Sequence, residues 1–230
     1  MKYNTKCKFF NEKYACDTLS SEGYDSCEEC KFSQEYSKKI LIIKLGAMGD
    51  VLRTTCILPA LKQKYGEDIL VYWMTNPESV DLLKNNNFID KVLPYNPENL
   101  LRIQQEKFNI LFSLEINTPA TLLANLVDAN EKFGYYFNNG STSCFNQSAE
   151  EYLDTAFLHH KKLNNRKTYQ QLISHTCELD LHYKKERPIF NLNEKHINFA
   201  DQFKIENNLI GEKVIGINIG SADRWQSKFW

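Results

Sequence analysis

Lys39-Ile-Leu-Ile-Ile-Lys-Leu45-Gly46-Ala-Met-Gly49-Asp50-Val-Leu-Arg53 is the stretch whose reading decides the fold. Residues 39–45 are an almost unbroken apolar run, the pattern of a strand covered on both faces. Gly46 to Gly49 is a tight turn, and Asp50 opens a helical stretch carrying Val51, Leu52, Leu58 and Leu61. Pro59 must interrupt that helix unless it sits in the first turn of a second one. Strand, glycine turn and helix then recur. Strands are expected at 69–74, 91–95, 108–114 and 132–136, and helices at 77–85, 97–106 and 118–128. Such alternation predicts an α/β fold with a doubly wound parallel sheet. Asn138 to Gln147 reads as a polar loop, and 152–163 and 166–181 as helices. Val214-Ile-Gly-Ile-Asn-Ile219 reads as the first strand of a second α/β unit.

The whole chain supports a globular protein. It has 230 residues, 42% hydrophobic and 25% charged, with 28 Lys+Arg against 29 Asp+Glu. That balance gives no broad field for nucleic acid or anionic lipid. The longest aliphatic run, Ile40–Ile43, is far short of the roughly 20 residues a membrane helix needs. Met1 to Lys6 leads into no apolar signal core, so the expected compartment is the cytoplasm, with at most peripheral contact at the inner face of the membrane.

The seven cysteines are unevenly placed. Cys7, Cys16, Cys27 and Cys30 read C-x8-C-x10-C-x2-C in a segment poor in aliphatic residues, too short to bury a core of its own. Cys27-Glu-Glu-Cys30 has the spacing of a metal knuckle, but the Cys7/Cys16 gap does not. Three readings stand: a structural zinc site on the four thiolates, an iron–sulfur cluster, or reduced thiols packed on the main domain. Cys56, Cys144 and Cys177 read as small buried hydrophobes. The five histidines read as surface or packing residues.

The Gly46–Asp50 turn has the shape of a phosphate site but not its chemistry. It lacks the Gly-Lys-Ser/Thr of a P-loop and the third glycine of a dinucleotide fingerprint. A carboxylate at the helix start also repels a phosphate there. Asp50 is an N-cap on one reading. On the other it is a general base at the carboxyl edge of the first strand, where open α/β sheets bind ligands. Spacing leaves both open.

Residues 39–55 together with Leu58-Pro-Ala-Leu-Lys62 resemble the N-terminal signature of glycosyltransferase family 9, the ADP-heptose:lipopolysaccharide heptosyltransferases. Ile217-Asn-Ile-Gly-Ser-Ala-Asp-Arg-Trp-Gln-Ser-Lys-Phe-Trp230 resembles the second signature, a Gly-Ala/Ser turn followed by Lys-x-Trp. Phe108 to Glu115 and Phe133-Gly-Tyr135 are similar to the family's middle strands, and Asn165-Arg-Lys-Thr-Tyr169 to the start of its interdomain helix. The resemblance spans about residues 38–230. It is also similar to a subgroup with a short Cys-rich extension. Two departures are visible: Cys56 and Ile219 each stand where the family usually or often has proline.

The resemblance implies a GT-B architecture of two Rossmann-like domains. It would divide the chain into a Cys-rich module at 1–37, an acceptor-side domain at 38–185, and a linker with the opening of a donor domain at 186–230. It implies Asp50 as catalytic base, with Gly46, Met48, Gly49 and Arg53 on the acceptor-side loop. Ser221, Ala222 and Lys228 would face the donor diphosphate. The partners implied are a nucleotide-sugar resembling ADP-heptose and a glycan or lipid-linked glycan acceptor, the transfer proceeding with inversion and with no cofactor needed for the chemistry. On the family pattern at least about 100 residues of the donor domain lie beyond Trp230. A different class of reading is a non-catalytic binding fragment of the same fold. A nucleotide-dependent dehydrogenase is disfavoured by the missing glycine fingerprint.

Overall fold

The computed structural model describes residues 3–11, 16–180 and 187–217. The run that opens the sequence argument is the central strand β1 (Lys39–Ile43), with four wholly buried residues after Lys39. The helix after it, α2 (Met48–Thr54), ends in a 3-10 turn at Thr55–Ile57. A second helix, α3 (Leu58–Tyr65), carries Pro59 in its first turn. The proline thus starts a helix where its missing N–H costs nothing.

Strands β2 (Leu70–Thr75), β3 (Lys91–Pro94) and β4 (Lys107–Ser113) are close to their expected positions. The helices α4 (Val80–Leu83), α5 (Pro97–Gln105) and α6 (Thr118–Leu126) lie between or after them. The side chains of Asn96 and Asn117 cap α5 and α6 by accepting from the Asn99 and Ala120 N–H groups.

Two expectations need correction in the next segment. Strand β5 (Asp128–Asn138) is eleven residues long rather than a short strand, and the supposed polar loop holds β6 (Ser141–Cys144). The two form an antiparallel hairpin turning through Asn139 and Gly140, both at positive φ. Asn-Gly is the pair that such a two-residue turn favours. The expected helix 152–163 is also broken, into α7 (Glu150–Phe157) and α8 (His159–Asn164), at Leu158 with extended φ −102°, ψ 109°. α9 (Tyr169–Thr176) opens on a capping box between Thr168 and Gln171.

The sheet order is β3-β2-β1-β4-β5-β6, parallel except for β6. Alternation along the strands separates two cores. Ile40, Ile42, Trp73 and Phe112 pack with Leu61 of α3, Leu83 of α4 and Ile173 of α9. Leu41, Ile43, Met74 and Leu111 pack with Ile103 of α5 and Leu123 of α6 on the other face. Helices therefore cover both faces, as the doubly wound expectation requires. Gly134 fixes the β4–β5 pairing. Its φ is +90°, and a Cβ there would stand 1.9 Å from the Ser113 carbonyl oxygen.

The chain divides into two compact units, Met1–Asn191 and Leu192–Trp230. In the first, residues near Cys7 pair with those near Glu35, and the Lys8 N–H donates to the Gln34 carbonyl at 2.8 Å. In the second, α10 (Glu194–Glu206) starts on an Asn193–His196 capping box and buries no residue. Val214 to Ile217 form no strand and are exposed, contrary to expectation. Apolar strand propensity holds only when neighbours pair and cover the strand. Among the described residues no helix is long and apolar enough to cross a membrane.

Candidate active site

The strand order creates a switch point. From β1 the chain moves outward through β2 and β3, then returns to β4 on the other side of β1. In open α/β sheets the crevice for ligands lies at the carboxyl ends of the strands flanking such a point.

A buried ion pair spans it. Lys44, one residue past β1, donates from Nζ to Glu115 Oε2, two residues past β4, at 2.8 Å. The side chains are only 3% and 12% exposed. A lysine in an apolar run must find an opposite charge when buried, and Leu114 N–H to Ile43 C=O at 2.9 Å continues the ladder that places its partner. Sequence reasoning missed this pair. The lone charge inside 39–45 was the signal, but nothing local identified a partner 71 residues away.

Asp50 and Arg53 stand on α2, directly after the same strand. Ala47 is the N-cap, without a side-chain hydrogen bond, and Asp50 is the third helical residue, its N–H donating to the Ala47 carbonyl at 2.8 Å. The N-cap reading of Asp50 is therefore corrected: the cap is Ala47, three residues earlier. Asp50 Oδ1 instead accepts from Arg53 Nη2, the other carboxylate oxygen has no partner among the described residues, and the side chain is 39% exposed. A carboxylate in the first turn is favoured by the helix dipole.

Arg53 is held from a second side, since its guanidinium lies 4.2 Å from the Tyr169 ring centroid. That ring is fixed in turn. Thr54 Oγ1 donates to the Asp50 carbonyl at 2.7 Å, which leaves it to accept from the Tyr169 hydroxyl, also at 2.7 Å. Tyr152 of α7 packs edge-on against Tyr169, centroids 6.1 Å apart. Burial pushes the Tyr169 hydroxyl far above its ordinary pKa, the Thr54 hydrogen bond opposing. Tyr152 is also raised, by burial first and then by the negative charges of Glu115 and Asp50. The tyrosines stay neutral, and the cluster's charges are those of Asp50, Arg53, Lys44 and Glu115.

Met48 and Gly49 are exposed on the first turn of α2, and Gly46 is half-buried with space for a Cβ 3.4 Å from Asn76 Nδ2. Ser221, Ala222 and Lys228 lie outside the described residues. Cys56 fills the main core, fully buried, where the resembled family usually has proline. His175 Nδ1 is 3.2 Å from Glu151 Oε2 at the surface.

The four N-terminal cysteines are not gathered into a donor set. Among the described residues no three His, Cys, Asp or Glu side chains come together so as to hold a metal ion. Cys7 and Cys16 are buried and Cys27 and Cys30 half-exposed. The Cys16 sulfur accepts from the Leu19 N–H at 3.2 Å, capping the short helix α1 (Asp17–Ser21).

No protein-family model matches the chain. It is 25% identical over 200 residues to lipopolysaccharide heptosyltransferase 1 of Campylobacter coli, an alignment covering 80% of this chain and 55% of that protein. The chain is thus similar to a heptosyltransferase over most of its own length. It spans about half the length of the curated relative it matches. Its fold is similar to that of a glycosyl transferase family 9 structure from Veillonella parvula, with a TM-score of 0.60 at 20% identity over 83% of this chain and 56% of that one. A looser likeness, TM-score 0.45 at 11% identity, covers 72% of this chain and 50% of E. coli ADP-heptose lps heptosyltransferase II. The sheet presents a part-exposed carboxylate, a buried ion pair and a tyrosine-backed arginine at the edge where α/β folds bind ligands.

Proposed function

We propose that the protein acts as an inverting glycosyltransferase of the heptosyltransferase type, with Asp50 as its base. The single observation that carries this assignment is the Asp50 carboxylate at the carboxyl edge of the central strand, part-exposed and with one oxygen unbonded among the described residues. The heptosyltransferase relative supports the reaction class. The donor is a nucleotide-sugar resembling ADP-heptose and the acceptor a hydroxyl of a cell-envelope glycan, met on the cytoplasmic side of the membrane.

Asp50 takes the proton of the acceptor hydroxyl as that oxygen bonds to the anomeric carbon. The bond from that carbon to the diphosphate breaks on the opposite face, and its electron pair leaves with the nucleotide. Arg53 holds the carboxylate in one orientation. Ser221, Ala222 and Lys228 are proposed to meet the departing diphosphate, whose charge needs stabilising donors. The chemistry calls for alignment and charge stabilisation, with no metal in the reaction.

The test uses this chain continued by the C-terminal half of the Campylobacter coli relative, assayed with a nucleotide-sugar panel. Asp50→Asn should lower transfer by about 10²- to 10⁴-fold while leaving donor binding intact. Equal activity in Asp50→Asn would remove it as base. No transfer by the unmutated chain with any donor of the panel would overturn the transferase assignment itself.

A further inference from the structure

The opposite edge of the same sheet holds a cavity of about 640 Å³ that the proposed reaction does not use. Its floor is built from the amino ends of three strands: Lys39 opens β1, Leu70 opens β2, and Lys91 opens β3. Asp50 follows the other end of β1, a strand of about 17 Å at its rise per residue. The roof is the N-terminal segment from Thr5 to Asn11, which pairs back near Glu35 and leaves the space beneath it unfilled.

The lining combines cations with rings. Lys39 and Lys91 place their ammonium groups 4.6 and 5.2 Å from the centroid of one ring, that of Tyr72, which is 8% exposed. Each ammonium group gains about 0.5–2 kcal/mol from the ring face. Lys8 adds a third cation to the lining, against two carboxylates. Glu106 accepts from Lys39. Asp90 accepts from the Val71 N–H through Oδ2 at 2.7 Å, and burial raises its pKa against the opposing charges of Lys8 and Lys62. At the roof Phe9 is 48% exposed, and Phe10 lines the cavity beside it.

We propose that this cavity binds a small organic anion bearing a flat ring. Its phosphate or carboxylate would lie among Lys8, Lys39 and Lys91, and its ring against Phe9 and Phe10. The volume falls within the range of ligand pockets, about 300–1,000 Å³, and suits a nucleoside monophosphate or an aromatic carboxylate. Both share the recognised chemistry, a ring and an anionic group, and the choice between them is made by titration.

Calorimetric titration of the chain as it stands provides the test, with AMP, 4-hydroxybenzoate, adenosine and inorganic phosphate as probes. At least one ring-bearing anion should bind at least tenfold more tightly than adenosine or phosphate. The better ligand identifies the source. Lys39→Gln/Lys91→Gln should weaken it tenfold or more, Phe9→Ala about threefold, and Asp50→Asn not at all, which separates this cavity from the proposed reaction site. If the double variant fails to fold, Lys91→Gln and the surface change Phe9→Ala carry the test by themselves. Absence of binding up to about 5 mM, equal binding of phosphate alone, or unchanged affinity in the lysine and Phe9 variants would each overturn the proposal.

Discussion

Breaking the Lys44–Glu115 pair from one side should be far more damaging than removing both charges. At 2.8 Å and an effective dielectric near 20, two unit charges attract by about 6 kcal/mol. Desolvating them offsets most of that, several kcal/mol per ion, so the pair is close to neutral against a well-packed apolar pair. A single replacement removes the attraction and leaves the other charge buried. Lys44→Met and Glu115→Leu should each cost about 3–5 kcal/mol. Glu115→Leu should be the worse, because it strands an ammonium with a side chain only 3% exposed, whereas Lys44→Met strands a carboxylate that is 12% exposed. The double variant should lie within about 1 kcal/mol of the parent, a coupling of about 5 kcal/mol or more.

Urea unfolding followed by far-ultraviolet circular dichroism measures this directly. With a slope of about 2 kcal/mol/M, a 3 kcal/mol loss moves the midpoint down by about 1.5 M. Single variants losing less than about 1 kcal/mol, or a double variant as unstable as the sum of the two, would show that the pair is hydrated and not part of a buried switch point. Recovery of the double variant would show that the charges are not required for folding.

Further outcomes follow from the packing. Gly134→Ala should cost about 3 kcal/mol or more, since its Cβ meets the Ser113 carbonyl oxygen at 1.9 Å; Gly140→Ala, also at positive φ but in open space, should cost only about 1 kcal/mol, and thermal melts of the two should separate clearly. Burial raises the pKa of Tyr65 to about 12 and also raises Tyr135, Tyr152 and Tyr169. The neutral phenol is favoured in the fold, so this stability is complete below the ordinary tyrosine value of about 10 and is lost as pH rises through about 12. Tyrosinate absorbance should therefore show these rings ionising only at or beyond alkaline unfolding, and their ionisation with the exposed tyrosines would refute the packing. Thiol alkylation of the native chain should reach half-exposed Cys27 and Cys30 well before buried Cys7 and Cys16; equal rates at all four would refute that placement.

Much of the sheet was legible because its signals are local. The Ile40–Ile43 run, the Pro59 restart and the asparagine caps of α5 and α6 each require only neighbours in sequence. What was missed divides by cause. The Asn139-Gly140 turn was local and legible, and the polar composition of 138–147 obscured it. Lys44 and Glu115 were not legible in the same sense, because a parallel crossover separates them by 71 residues. The Tyr169–Arg53 contact likewise joins α9 to α2 over a long stretch of chain. Val214 to Ile217 show the reverse failure: the local pattern is that of a strand, but pairing and cover are supplied by other segments or not at all.

The register of α2 bears most on the candidate site. Had Asp50 been the N-cap, its carboxylate would have been occupied by backbone N–H groups, and accepting a substrate proton would have competed with holding the helix. With Ala47 at that position, the fold does not need Asp50 to cap the helix. One of its oxygens meets Arg53, and the arginine is braced by a tyrosine ring whose hydroxyl is anchored through Thr54 back to the Asp50 carbonyl. That closed circuit fixes the direction of the carboxylate while its second oxygen has no partner among the described residues. Such an arrangement suits a base better than a cap, since a base must be oriented yet still have an unshared oxygen. Tyr169→Phe keeps the ring under Arg53 and removes only the Thr54 anchor, whereas Tyr169→Leu removes both. In the transfer assay Tyr169→Phe should therefore keep most activity, while Tyr169→Leu should lower kcat about tenfold with little change in donor KM. Equal activity of the two variants would mean that the ring does not orient the base.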